Sequence, residues 1–179
     1  SALLMATVRS ALRQRLALPG SIAQIIADVN RQLAGDFGES GQFVTLFYLS
    51  IDPASKILEW VRAGHEPAIF YDLATNSFSE LNGSGMALGV DKQCRYEINR
   101  KEDLSRGSII VMGTDGVWET RNESGQMFGR TAIYDIIRDN SRAGAGDIME
   151  EIFDRYKKFR KAVQPEDDVT IVVVKLLNS

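Results

Sequence analysis

Hydrophobic residues recur at helical spacing in the first part of the chain. Ala2–Ala17 carries one apolar stripe between arginines, which predicts a helix with a single buried face. Pro19-Gly20 is expected to end it. A second helix is predicted after Ser21, because Ser21 and Gln24 match a capping box and the following apolar residues keep the 3.6-residue period. A flexible loop should follow, marked by three glycines: Gly35, Gly38 and Gly41.

The middle of the chain consists of short apolar runs separated by turn residues, which predicts strands. Phe43–Ile51 is apolar on both faces as far as Tyr48, so we expect this strand to lie inside a layered structure. The turn at Asp52–Ser55 predicts a hairpin with Ile57–Val61. Further strands are predicted at Ala68–Tyr71, Ser77–Leu81, Arg95–Ile98 and Ser108–Met112.

The last third returns to helical spacing and closes with an apolar strand. One helix is predicted around Ile133, Ile136 and Ile137, and another over Asp147–Lys161. A buried strand is predicted at Val169–Val174. Helices flank a run of hairpin-linked strands without strict βα alternation. This order predicts an α+β fold, with antiparallel sheets covered by helices.

Length and charge restrict the classes of function. With 179 residues and no evident linker, we expect one domain over residues 1–179. The net charge of −3 offers no basic surplus for nucleic acid, and no apolar run is long enough to insert into a membrane. The single cysteine, Cys94, excludes an internal disulfide and predicts a reducing, cytoplasmic location.

Two acidic segments lie at the ends of predicted buried strands. Asp115 follows one strand within Gly113-Thr114-Asp115-Gly116, and Glu166-Asp167-Asp168 precedes another. A rigid strand end can hold a carboxylate against a hard cation, and a cation would offset the repulsion between adjacent carboxylates. From these residues alone, an ordinary Asp-Gly turn and a solvated acidic loop remain open alternatives.

Four other residues are candidates for chemistry but have simpler interpretations. The only histidine, His65, lies in Ala63-Gly64-His65-Glu66-Pro67, which favours a turn with hydrogen bonds to the backbone over an acid–base or ligand role. Trp60 and Trp118 are expected to be packing residues. Cys94 has no companion at nucleophile or zinc spacing, so we expect it to be inert.

Six short segments, in their order along the chain, resemble the SpoIIE/RsbU-type branch of the PPM (type 2C) metal-dependent serine/threonine protein phosphatases. The resemblance extends from about Ala2 to Leu176 and depends on the whole set rather than on any one motif. The segments are Phe43–Phe47, Ala63–Pro67, Ala87–Val90, Gly113–Glu119, Phe128-Gly129 and Asp167–Thr170.

The resemblance implies a fold, a cofactor and a reaction. The fold is a sandwich of two antiparallel sheets flanked by helices. Two Mg²⁺ or Mn²⁺ ions would activate a water for direct attack on phosphoserine or phosphothreonine. Asp115 and Asp167 match the family's metal ligands, while Gly116 and Asp168 match supporting positions. The implied partners are a phosphorylated protein of bacterial signalling, such as an anti-anti-sigma-type regulator, and an upstream sensor or receiver domain.

The family's earlier aspartate motifs, a Gly-Asp and an Asp-x-Ser-Gly-His-Gly turn, have no counterpart in this sequence. We therefore expect the domain to be incomplete at its N-terminus and to lack its first strands. In that case the 179-residue chain alone should bind metal poorly, be nearly inactive, and associate through uncovered sheet edges, for example as a homodimer. Arg62-Ala63 also replaces the asparagine that the family places before the Gly-His turn. A non-catalytic interaction or regulatory domain on a phosphatase scaffold is the alternative function.

Overall fold

The computed structural model describes residues 2–38, 41–164 and 167–177. Their arrangement is α+β, with two antiparallel sheets plus helices, which confirms the predicted class. The elements are α1 (Ala2–Leu16), α2 (Ile22–Phe37), β1 (Leu46–Asp52), β2 (Ile57–Ala63), β3 (Ala68–Asp72), β4 (Ser77–Leu81), β5 (Asn99–Lys101), β6 (Ile109–Gly113), α3 (Asp115–Trp118), α4 (Gly129–Asp139), α5 (Ala145–Arg160) and β7 (Ile171–Lys175).

The chain folds as two compact units, each of which contains one of the sheets. The first unit comprises the residues up to His65 together with Asn82–Glu102. The second comprises Glu66–Leu81 and the residues from Asp103 onward. The expectation of one domain over residues 1–179 stays a prediction.

In the first unit, α1 and α2 form a helical pair. The capping box at Ser21 and Gln24 is confirmed, and apolar side chains of both helices share one core with Val61 and Leu88. The expected loop at Gly35 is wrong, because α2 continues through it to Phe37, whose buried ring closes the apolar stripe. Tertiary packing of that stripe outweighs the low helix propensity of one glycine.

The sheet of the first unit has the order β1-β2-β5. The predicted hairpin is confirmed, with Leu46 opposite Ala63 and Asp52 opposite Ile57. The expected start at Phe43 is wrong: that side chain is 58% exposed, and the regular strand begins only at Leu46. β1 is an edge strand with an intermediate burial pattern, so its apolar residues do not indicate burial on both faces.

One predicted strand in the first unit is displaced along the chain. Residues 95–98 are irregular, and the strand is instead β5, where Asn99 pairs with Trp60. In the irregular segment, the Tyr96 hydroxyl donates to the Met86 carbonyl at 3.1 Å. The segment packs its ring into the core of this unit instead of joining the sheet ladder.

The sheet of the second unit has the order β4-β3-β6-β7, all antiparallel. Strands β3 and β6 are almost fully buried, and isoleucines of α4 and α5 pack with them in one core. The closing strand begins at Ile171, two residues later than predicted. Its expected burial is also wrong: β7 is an edge strand, and Val172 is 46% exposed.

Candidate active site

The pairing of β6 with β7 brings the two acidic segments together. The strands are antiparallel, with Gly113 opposite Ile171, so the end of β6 lies beside the start of β7. Beyond the regular ladder, the Thr114 amide donates to the Thr170 carbonyl at 3.1 Å. The Thr114 hydroxyl donates to the Asp168 carbonyl at 2.9 Å and accepts from the Thr170 amide at 3.1 Å. Thr114 thus fixes the backbone on both sides of the site.

Asp115 does not lie in a simple turn, because it opens the one-turn helix α3. Thr114 occupies the N-cap position in extended conformation, and the Asp115 carboxylate accepts from the Gly116 amide at 2.9 Å. This helix was not predicted from the sequence. The signal was a threonine followed by an acidic residue in the first turn, the usual start of a helix.

Gly116 permits the close approach of the two segments. A Cβ atom at this position would lie 2.7 Å from the Asp168 carbonyl oxygen and 3.5 Å from the Asp167 Cβ. The first distance is shorter than real Cβ contacts, and the obstacle is backbone that cannot swing away. The absence of a side chain is therefore what allows α3 to lie against the residues before β7.

A cleft of about 70 Å³ opens at this junction, with space for several water molecules. Asp115, Gly116 and Asp167 all line it, whereas Asp168 is not among the lining residues. Glu166, part of the predicted acidic segment, lies outside the described residues. The other lining residues are Glu119, Thr120, Arg121, Val163 and Gln164.

The other polar residues of the cleft were not predicted from the sequence. Glu119 follows Asp115 by four residues, a spacing that places two side chains on the same side of a helical turn, and this was the available signal. Thr120 donates to the Gly116 carbonyl at 2.7 Å, so its one hydroxyl proton is used. The buried Tyr156 hydroxyl of α5, 3.0 Å away, must therefore donate to Thr120, which ties α5 to α3.

The donor set of the cleft suits a hard divalent cation in part. Exposed carboxylates at Asp115, Glu119 and Asp167 supply the oxygen ligands that Mg²⁺ and Mn²⁺ prefer. Across residues 2–38, 41–164 and 167–177, however, no group of three His, Cys, Asp or Glu side chains is placed to hold one ion. The described residues thus bring Asp115 and Asp167 to one cleft, and their role as metal ligands stays a prediction.

Both tryptophans are packing residues, as predicted. Trp118 of α3 is buried against the end of β6, where a Cβ on Gly113 would lie 2.9 Å from its ring. The Arg130 guanidinium lies over the same ring, with its central carbon 4.5 Å from the ring centroid. Trp60 is buried in the first unit and donates to the Asn82 carbonyl at 2.7 Å.

The Gly-His segment forms the predicted turn within the first unit. Gly64 has a φ of +68° and donates to the Gly85 carbonyl at 2.9 Å, while the His65 carbonyl accepts from Arg62 Nε. The role of the imidazole stays a prediction. Half-buried Cys94 makes two weak hydrogen bonds through its sulfur, to the Met86 amide and the Arg95 carbonyl. Among the described helices, none is long and apolar enough to cross a membrane.

The fold is that of PP2C-type phosphatase domains. The SiaA-PP2C domain of Pseudomonas aeruginosa superposes with a TM-score of 0.82 over 98% of this chain and 70% of that one, at 20% sequence identity. The phosphatase domain of the cell fate determinant SpoIIE from Bacillus subtilis, presoaked with Mn, gives a TM-score of 0.63 over 96% and 74%, at 18% identity.

The sequence assigns the chain to a narrower group of proteins than the fold does. The family described as Stage II sporulation protein E (SpoIIE) matches residues 1–177, so the chain belongs to the SpoIIE family. Phosphoserine phosphatase RsbU of Bacillus subtilis is 28% identical over 153 residues, which cover 86% of this chain and 44% of RsbU. The chain therefore spans less than half the length of that relative. The recognised resemblance to SpoIIE/RsbU-type phosphatases is confirmed.

Proposed function

We propose that this chain contributes to a metal-dependent phosphatase acting on phosphoserine or phosphothreonine in a bacterial signalling protein. The observation that carries the proposal is the junction of β6 and β7, where Asp115 and Asp167 line one cleft. Membership of the SpoIIE family and the similarity to RsbU, a phosphoserine phosphatase, support the same reaction.

In this proposal the chain's own residues bind and orient. Asp115 and Asp167 hold Mg²⁺ or Mn²⁺ through carboxylate oxygens, and Gly116 keeps the two segments close enough to do so. Asp168 supports the site through its backbone carbonyl, which accepts from Thr114. When bound, Mg²⁺ or Mn²⁺ (two ions by analogy with the family) would supply an activated water and would offset charge on the phosphoryl oxygens.

The proposed substrate is a phosphorylated protein, of the anti-anti-sigma type by analogy with the family. The cleft, at about 70 Å³, is much smaller than the pockets that enclose a metabolite, which suits a phosphorylated side chain presented from a protein surface. A sensor or receiver domain upstream and a location in the cytoplasm belong to the same proposal.

The experiment uses the protein at its full natural length and measures Mn²⁺-dependent release of phosphate from a phosphoserine protein, with and without a chelator. We expect turnover that the chelator abolishes, and a loss of at least about tenfold in Asp115→Asn, which preserves volume but removes a ligand charge. Unchanged turnover in Asp115→Asn would refute the ligand role of Asp115.

A non-catalytic domain is the second candidate function. It is favoured by the lack of a group of three metal-ligating side chains within the part of the chain that the structure describes. This candidate predicts binding of the phosphoprotein without any metal-dependent release of phosphate. The same assay, run alongside a binding measurement on the same phosphoprotein, therefore separates the two functions.

A further inference from the structure

Arg121 is the one cationic residue among the described residues that line the cleft. It shares the cleft with the carboxylates of Asp115, Glu119 and Asp167. A cation in such a position either neutralises the neighbouring carboxylates or remains available to an anionic ligand. The contacts of its guanidinium distinguish these two cases.

A short hairpin holds Arg121 at the cleft. Arg121 pairs with Met127 in a single antiparallel bridge, and the Asn122 amide donates to the Gln126 carbonyl at 3.0 Å. The Asn122 side-chain oxygen accepts from the Ser124 and Gln126 amides, each at 3.0 Å. Gly125, at a φ of +76°, closes the turn in a conformation that favours glycine. These hydrogen bonds give the hairpin loop a defined geometry.

The guanidinium is anchored but largely unused. Its Nη1 donates to the Gly125 carbonyl at 2.8 Å, which is its only hydrogen bond to the described residues. An arginine carries five N–H donors in a planar fork, so four are left. No carboxylate of the described residues lies within 4.0 Å of it, although three line the same cleft. Arg121 is therefore not the counter-ion of those carboxylates.

We propose that Arg121 binds the phosphoryl group of the substrate, and afterwards the released phosphate, through its free guanidinium donors. This inference rests on the proposed function. The planar fork of the Arg121 guanidinium matches two phosphoryl oxygens. Charge-assisted pairs of this kind are stronger than hydrogen bonds between neutral groups. In hydrolysis the water oxygen bonds to phosphorus, the bond to the serine oxygen breaks, and serine leaves with a proton. Arg121 contacts non-bridging oxygens throughout and takes no proton.

The test compares Arg121→Gln with Arg121→Lys in the intact protein. Steady-state kinetics on a phosphoserine protein are combined with direct calorimetric binding of inorganic phosphate in the presence of Mg²⁺. We expect Arg121→Gln to raise KM and the phosphate dissociation constant roughly tenfold or more, and Arg121→Lys to recover only part of that loss, because a lysine is a point charge without the fork.

Arg106→Gln is the matched control. Arg106 is exposed and carries the same charge, but it precedes β6 at the end of the strand opposite to the cleft. A general effect of net charge would affect both glutamine variants alike, whereas direct contact affects only Arg121→Gln.

The outcomes separate the inference from the proposed function. Wild-type KM and phosphate affinity in Arg121→Gln would overturn the inference while leaving the phosphatase intact. If the wild-type protein releases no phosphate from the phosphoprotein but binds inorganic phosphate through Arg121, the proposed function is overturned and the role of Arg121 in phosphate binding stands. If circular dichroism shows that Arg121→Gln does not fold, the Arg121→Lys variant provides the test instead. A phosphate affinity of Arg121→Lys equal to that of wild type would overturn the role of the guanidinium fork.

Discussion

The guanidinium of Arg130 lies over the ring of Trp118, with 4.5 Å between its central carbon and the ring centroid. The same guanidinium donates to Glu66 at 2.6 Å and to Glu80 at 2.8 Å, and its side chain is only 20% exposed. Trp118 in turn packs against Gly113 at the end of β6. Arg130 therefore links Trp118 of α3 to Glu66 and Glu80.

Arg130→Met should lower the free energy of unfolding by about 1–3 kcal/mol. The variant loses the cation–π contact and the ion pairs of Arg130 with Glu66 and Glu80. The measurement is urea denaturation followed by circular dichroism. Arg155→Met is the control, because Arg155 also contacts two carboxylates, Glu151 and Asp139, but is 40% exposed. We expect Arg155→Met to lower the free energy of unfolding by less than about 1 kcal/mol. Equal decreases in the two variants would contradict a special role for Arg130.

Asp167 and its neighbour Asp168 should differ in their effect on metal binding. Asp167 lines the cleft, whereas Asp168 takes part through its backbone carbonyl, which Asp168→Asn leaves unchanged. We expect Asp167→Asn to weaken Mn²⁺ binding at least about tenfold, and Asp168→Asn to weaken it only severalfold at most. Isothermal titration with Mn²⁺ measures both. A larger loss in Asp168→Asn would reverse the assignment of the ligand.

Gly116→Ala should destabilise the protein and weaken the metal site together. The new Cβ would lie 2.7 Å from the Asp168 carbonyl oxygen, so α3 and the segment before β7 must separate. Overpacking of this kind costs about 1–3 kcal/mol. Gly146→Ala is the control: this glycine lies in α5, and nothing is within 4 Å of the position that the added methyl group would take.

The two alanine variants should therefore move in opposite directions. Gly146→Ala is expected to raise the free energy of unfolding by up to about 1 kcal/mol, since alanine is the better helix former. Thermal unfolding and Mn²⁺ titration of both variants provide the comparison. A Gly116→Ala protein as stable as wild type, with unchanged Mn²⁺ affinity, would show that the close approach at Gly116 is dispensable.

Acid should weaken the α1–α2 pair through Asp28. Hydrogen bonds from Arg15 and then Arg31 lower the pKa of Asp28 below its usual 3.8. A depressed folded-state pKa adds stability above the unfolded value, and this is lost as the pH falls through the folded value. The stability difference between wild type and Asp28→Asn should be constant from pH 5 to 7 and shrink below about pH 4. A difference that grows on acidification would contradict the ion pair.

Elements with a strong local signal could be predicted from the sequence. The capping box at Ser21, the hairpin at Asp52 and the isoleucine stripe of α4 were all correct because each depends on residues adjacent in the chain. The burial of β1 and β7 could not be predicted, because an edge strand with apolar residues has the same local pattern as a central one. Whether a strand has a neighbour on one side or on both sides decides whether it is an edge strand or a central strand.

The candidate site was predictable in its acidic residues and not in its surroundings. Asp115 and Asp167 each stand beside an apolar strand, a local signal, and the antiparallel pairing then brings them to one cleft. Arg121 gave no such signal, since it follows a helix that was not predicted and reaches the cleft through a hairpin. The role of Thr114 depends on Asp168 and Thr170, more than fifty residues away in the chain.

This long separation affects when the site can form during protein synthesis. A ribosome makes Asp115 well before Thr170, and α3 then has no backbone partner to hold Thr114. The early helices and the first hairpin can form from nearby residues, whereas this cleft requires β7. Nascent chains therefore cannot acquire the arrangement of Asp115 and Asp167 until translation has passed β7.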